Sequence, residues 1–185
     1  IEQPIAALQL LNKGKVETLK PDSDCFRNCE THIVATPQMS LQAAAEVANG
    51  NGIKSLILGD AVEGEAREVA KVMAAIAKQA RYRGQPAEAP VVLLSGGETT
   101  VTVTGNGRGG RNSEFLLALA IALNGEKGIN ALAADTDGID GVEDNAGAIL
   151  SPNSLERAAR KGVDAKACLA NNDAYSFFKN IDDLL

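Results

Sequence analysis

Tryptophan is absent from these 185 residues, and two Tyr and four Phe hold the aromatic share to 3%. With so little aromatic volume, the interior is expected to be aliphatic, built from Ala, Val, Leu and Ile. Long apolar runs are missing as well. None approaches the roughly 20 residues a membrane-crossing helix needs, and no charged-then-apolar leader opens the chain. The reading is of a soluble, non-membrane protein. Cysteine occurs three times; Cys25, Cys29 and Cys168 are too few and too scattered for a disulfide framework, which points to a reducing cytoplasm. Cys25 and Cys29 read as free thiols rather than half a zinc site. The single histidine, His32, reads as structural or surface-lying. Basic residues are outnumbered, 18 to 24, for a net charge of −6. That balance argues against broad nucleic-acid binding, which needs Lys and Arg over a whole face. A local cationic pocket for a small anion remains compatible with it.

What is present is average globular material, 45% hydrophobic and 23% charged, long enough to bury one α/β core or two small ones. The start at Ile1 without Met and the stop at Leu185 straight after an apolar segment read as cut ends. Ile5, Leu8 and Leu11 suggest a short helix before the Pro21-Asp22-Ser23-Asp24 break. His32-Ile33-Val34-Ala35 reads as a strand, residues 40–48 as an Ala-rich helix and residues 54–58 as a second strand, together a βαβ unit. Residues 63–82 carry Ala66, Val69, Ala70, Met73, Ile76, Ala77 and Ala80 at helical spacing. Strands are expected at 91–94, 99–104 and 130–134, and helices at 113–124 and 154–161. Strands alternating with helices imply a layered α/β/α fold with a mostly parallel or mixed sheet, and ligands beyond the strands' carboxyl ends. The expected division is an arm or linker at 1–21, a βαβα segment at 22–89 and a module at 90–185; the alternative is one compact unit over 22–185. No internal repeat or low-complexity tract is visible.

Three polar loops carry the chemistry. The densest is Gly105-Asn106-Gly107-Arg108-Gly109-Gly110-Arg111-Asn112-Ser113-Glu114, between an expected strand and helix. Glycines let backbone approach a ligand, amides at a helix start attract anions, and Arg108 and Arg111 add forked donors for phosphate or carboxylate. Gly105, Gly107 and Gly110 also fit GxGxxG, with Asp135 placed to meet a ribose, so a dinucleotide reading stands beside the phosphate one. A Walker loop is excluded because Arg111 and Asn112 replace its Lys and Ser/Thr. Ser95-Gly96-Gly97-Glu98-Thr99-Thr100 forms a second polar turn. Asp135-Thr136-Asp137-Gly138-Ile139-Asp140-Gly141 is an oxygen-rich third loop suited to Mg²⁺. It is no EF-hand, since Ala146 sits where a bidentate Glu is required.

Taken together, these loops resemble the motifs of class II glycerate kinases, a family also labelled hydroxypyruvate reductase, in both order and spacing. Ala146-Gly147-Ala148-Ile149, Asn172-Asp173-Ala174-Tyr175-Ser176-Phe177-Phe178 and Gly64-Glu65-Ala66-Arg67-Glu68 extend the match over roughly residues 21–185. Ser113 departs from it, standing where the family commonly has Gln. The resemblance implies that 22–89 is the late part of the amino-terminal kinase region and 90–185 a MOFRL-like module. It implies ATP- and Mg²⁺-dependent phosphorylation of D-glycerate to 2-phosphoglycerate, with the isolated segment inactive because members carry a long preceding segment with a lysine implicated in catalysis. On that reading Arg108 and Arg111 hold phosphate or the glycerate carboxylate, and Asp137 and Asp140 organise Mg²⁺ or the substrate hydroxyl. Ser95, Gly96, Gly97, Glu98, Thr99, Gly107, Gly109, Gly110, Asn112 and Asp173 complete the substrate and phosphate contacts. The alternatives are an NAD(P)H-dependent hydroxypyruvate reductase and a catalytically silent anion-binding module. The partner expected is a small molecule, with a homo-oligomer left open.

Overall fold

The structure, a computed structural model, describes residues 4–14 and 18–185. Contacts divide it into two units, Ile1–Val34 and Ala35–Leu185. The first unit holds helix α1 (Ile5–Asn12) and a single 3₁₀ turn at Asp24–Phe26, neither with a buried residue. Ile5, Leu8 and Leu11 do lie on a helix; of the expected arm, residues 1–3 and 15–17 lie outside the described residues. The expected strand at His32-Ile33-Val34-Ala35 is not formed, and Ile33 and Val34 are 76% and 86% exposed. Local β propensity makes no strand without a neighbouring edge to pair with. The βαβ reading of this stretch is therefore corrected.

The second unit opens with α2 (Pro37–Gly50), where Pro37 occupies the first turn and the Thr36 hydroxyl accepts the Met39 amide at 3.2 Å. Strand β1 (Lys54–Glu65) follows, then α3 (Ala66–Arg83) as the crossover, then β2 (Val91–Thr100) parallel to β1. Both strands run beyond the expected limits. Pairing continues from Lys54↔Val91 through Val62↔Gly97 to Glu65↔Thr100, so Ser95-Gly96-Gly97-Glu98-Thr99-Thr100 is strand rather than turn. Gly97 permits this: with φ +143, it sits where a Cβ would overlap the Val62 backbone. Consequently α3 starts at Ala66, three residues later than its periodicity suggests, and the separate strand expected at 99–104 does not exist.

Helix α4 (Arg111–Leu123) leads into β3 (Ala131–Ala134), which pairs antiparallel with β4 (Gly147–Leu150). Three short helices close the unit: α5 (Ser154–Arg160), α6 (Ala165–Ala170) and α7 (Ala174–Asn180). The class is α/β, with strands arranged as one parallel and one antiparallel pair rather than one continuous sheet. Helix α4 is the centre of the core. Leu116, Leu117, Leu119 and Leu123 are buried against Ala70 and Ala74 of α3, Ala148 and Leu150 of β4, and Phe177 and Phe178 of α7. The core is aliphatic around one aromatic anchor, the Phe177–Phe178 pair, edge to face at 5.1 Å. The alanines of α3 let it pack closely, and α4 thereby holds its amino terminus fixed below the glycine-rich segment.

Candidate functional site

Helix α4 begins at Arg111 with Gly110 as its N-cap, a residue with no side chain to satisfy the first amides. Asp140, fully buried, does so instead: its carboxylate accepts from the Asn112 amide at 2.9 Å and the Ser113 amide at 2.8 Å. The negative charge favoured at a helix start is thus supplied from within the protein. Other amides of the segment are also engaged. Gly107 donates to the Asn171 carbonyl at 2.9 Å and Gly110 to the Ser113 hydroxyl at 3.1 Å.

Above α4 lies a cleft of about 440 Å³ lined by Arg111, Asp135, Asp137, Gly107, Gly109 and Gly110, with Thr99, Val101, Val103 and Ile139 as further walls. Arg111 spans its carboxylates, bonded by one guanidinium nitrogen to Glu98 and by the other to Asp135 at 2.7 Å. Hydrogen bonding to Glu98 and then to Asp135 raises its pKa further above the ordinary arginine value. Asp137 is exposed, with one oxygen accepting the Ile139 amide at 2.9 Å. Arg108 is held differently. Glu143 grips its guanidinium through two nitrogens, and the group lies 4.5 Å over the Tyr175 ring. The Glu143 hydrogen bond is the main cause of its raised pKa.

The residues expected to form the site are therefore split. Thr99, Gly107, Gly109, Gly110, Arg111 and Asp137 share the first cleft. Ser95, Gly96, Gly97, Thr99 and Asn112 line a second, of about 300 Å³, between residues of β2 and β3. Glu98 reaches the first cleft through Arg111, Asp173 accepts the Arg108 amide at 3.0 Å, and Asp140 is buried beneath. Residue type alone does not mark Glu143, Tyr175 or Asn172 individually. The only signal for Glu143 is an excess of acids in the same chain as an arginine-bearing loop. Glu114, buried in α4 and ion-paired with Arg67 of α3, shows itself as a carboxylate interrupting an apolar helix.

Among the described residues no three His, Cys, Asp or Glu side chains gather as a metal cluster. The donor set in the cleft, Asp135 and Asp137, fits a hard cation that keeps waters and takes substrate phosphates as its remaining ligands, the habit of Mg²⁺.

Residues 91–185, the half of the chain that contains all three loops, match the model of the MOFRL family. The chain belongs to the MOFRL family. Among its relatives, the D-glycerate 2-kinase of Thermotoga maritima is 35% identical over 187 residues, covering 97% of this chain and 45% of that protein. A relative from Agrobacterium vitis that carries a hydroxypyruvate reductase name is 56% identical over 158 residues, covering 84% of this chain and 36% of that one. The crystal structure of the Thermotoga maritima glycerate kinase superposes with a TM-score of 0.80 at 34% identity, over 97% of this MOFRL chain and 45% of its own. The chain spans less than half the length of these relatives. None of its described helices is long and apolar enough to cross a membrane.

Proposed function

We propose that this MOFRL chain is part of an ATP-dependent glycerate 2-kinase that converts D-glycerate to 2-phosphoglycerate. The observation that carries the reading is Arg111, a permanently charged fork held between Glu98 and Asp135 at a cleft that also presents Asp137. The 35% identity to a D-glycerate 2-kinase supports it. In the reaction, the glycerate 2-hydroxyl oxygen bonds to the terminal phosphorus of ATP as the bridging P–O bond breaks; ADP leaves with the bonding electron pair, and the hydroxyl proton is released to water. Phosphoryl transfer of this kind depends on positioning and charge neutralisation. Arg111 exchanges a carboxylate partner for the transferred phosphoryl group or the glycerate carboxylate. Asp135 and Asp137 would hold Mg²⁺, which would supply charge neutralisation on the phosphates. Arg108 takes a second anionic group by exchanging Glu143 for it. Asp140, with its oxygens given to the α4 amides, fixes the helix start and with it Arg111. We assign residues 90–185 as the module bearing these groups and 22–89 as the preceding kinase region; the free thiols of Cys25, Cys29 and Cys168 support a cytoplasmic setting.

The hydroxypyruvate reductase name of the Agrobacterium vitis relatives favours a second reading. GxGxxG chemistry needs glycine amides and an open helix start for a pyrophosphate, whereas here Asp140 fills the helix start and Gly107 and Gly110 donate elsewhere. The geometry therefore supports the kinase. Incubating the full-length protein with D-glycerate, ATP and Mg²⁺, and separately with hydroxypyruvate and NADH or NADPH, decides between them. ADP formation without nicotinamide oxidation is expected; oxidation without ADP formation overturns the proposal.

A further inference from the structure

The glycine-rich segment is shaped by a turn far away in sequence. Five consecutive amides, those of residues 104–108, all donate to the three residues Asn171, Asn172 and Asp173 between α6 and α7. The Asn172 side-chain oxygen accepts from Thr104 at 2.8 Å and Gly105 at 2.9 Å. The Asn171 side chain takes Asn106 at 3.0 Å and its carbonyl takes Gly107 at 2.9 Å, while Asp173 takes Arg108 at 3.0 Å. Gly105 and Gly107 lie so close to this turn that a Cβ would overlap the Asn171 backbone at either position. These two glycines therefore admit a protein backbone, where the motif alone suggests a ligand. Asn172 stands at the centre. It is 7% exposed, holds a left-handed φ of +53°, and donates its amide hydrogens to the Thr102 carbonyl at 3.3 Å and to Glu114 at 3.2 Å. Glu114 is in turn ion-paired with Arg67, so the amide is gripped on both sides.

We propose that Asn172 is a positioning residue for substrate binding, which sets the 102–105 wall of the cleft and is needed for the cleft to receive its ligand in the right place. The inference rests on the kinase reading for its substrates, though not for its geometry. A buried amide with all four partners in place restricts the segment to one arrangement. Without it, two amides lose their acceptor and the wall is free to shift, and a shift of about an ångström is enough to weaken binding substantially.

The test uses the full-length protein and two variants. Asn172→Gly keeps the left-handed backbone without strain and removes only the side chain. Asn172→Asp also tolerates that backbone and keeps an acceptor oxygen for Thr104 and Gly105. With Asn172→Gly, KM for ATP or D-glycerate is expected to rise about tenfold with kcat within about twofold of wild type. Asn172→Asp is expected to recover at least half of that change on a logarithmic scale through its protonated form, which accepts from Thr104 and Gly105 and donates to Glu114. A purely structural residue would lower the melting temperature and leave KM alone; that outcome, or an Asp variant no better than Gly, overturns the proposal. If the wild type makes no ADP from glycerate, the kinase reading fails separately. Hydrogen exchange then decides: the Thr104 and Gly105 amides should exchange about tenfold or more faster in Asn172→Gly, and unchanged exchange overturns the proposal.

Discussion

Asp140 accepts the Ser113 amide at 2.8 Å across 27 residues of sequence, tying the acidic loop to the first turn of α4. The contact separates two aspartates that sequence spacing makes equivalent. Asp137 is exposed at the cleft, and Asp140 is buried under it. Replacing Asp140 by Ala leaves two helix-start amides unsatisfied and should cost about 2 kcal/mol of stability in urea unfolding. Asp137→Ala should leave stability within about 0.5 kcal/mol while abolishing most turnover. Equal destabilisation by the two would refute this division of roles.

Arg111 is the second point of test. Loss of its fork in Arg111→Ala should lower kcat/KM for ATP-dependent glycerate phosphorylation by about a hundredfold, the scale of removing one charge-stabilising donor. Arg111→Lys should restore little of it, because one ammonium cannot engage Glu98 and Asp135 as the guanidinium does. Unchanged turnover and affinity in the Ala variant would remove Arg111 from the mechanism.

Acid stability should depend on Asp144. The Tyr175 hydroxyl donates to its carboxylate at 2.7 Å, and this bond, followed by its own backbone and the charges of Lys179 and Arg108, holds the Asp144 pKa below its ordinary value. A folded pKa below the unfolded one contributes stability that is present above the unfolded value of about 3.9 and is lost as pH falls through the folded value. Tyr175→Phe should therefore flatten the dependence of stability on pH below about 4. A profile parallel to wild type would show that the hydroxyl does not shift Asp144.

Thiol chemistry gives a further handle. Burial, with the charges of Asp173 and Asp164 behind it, pushes the Cys168 thiol up, whereas Cys25 and Cys29 are exposed. Alkylation at pH 8 should label Cys25 and Cys29 first, with Cys168 slower by about tenfold. Its raised folded pKa also means that stability is lost as pH climbs past the unfolded thiol value of about 8.5.

The helices were largely legible in the sequence because their information is local. Apolar spacing marks α3 and α4, and the alanines of α3 announce close packing. Strand limits were less so, since pairing is decided by another segment. Val62 opposite Gly97 turns an apparent loop into strand, and the want of an opposing edge leaves Ile33 and Val34 unpaired. The same holds at the site. Arg111, Asp137 and the glycines stand out by residue type, and Arg111, Asp137, Gly107, Gly109 and Gly110 line one cleft, with Gly96 and Gly97 at another. What type could not convey is which partner each donor takes. Asp140 caps a helix, Glu143 occupies Arg108, and a turn 65 residues away receives the amide of Arg108.

That last separation carries a consequence for biosynthesis. The five amides of residues 104–108 have no acceptors until residues 171–173 have been made, some 65 residues later. At translation rates of about 5–20 residues per second, that is a delay of roughly 3–13 s. A nascent chain halted on the ribosome before Asn171 would carry α3 and β2 while its glycine segment lacked a shape, so competence to bind ligand should appear only after residues 171–173 have been made.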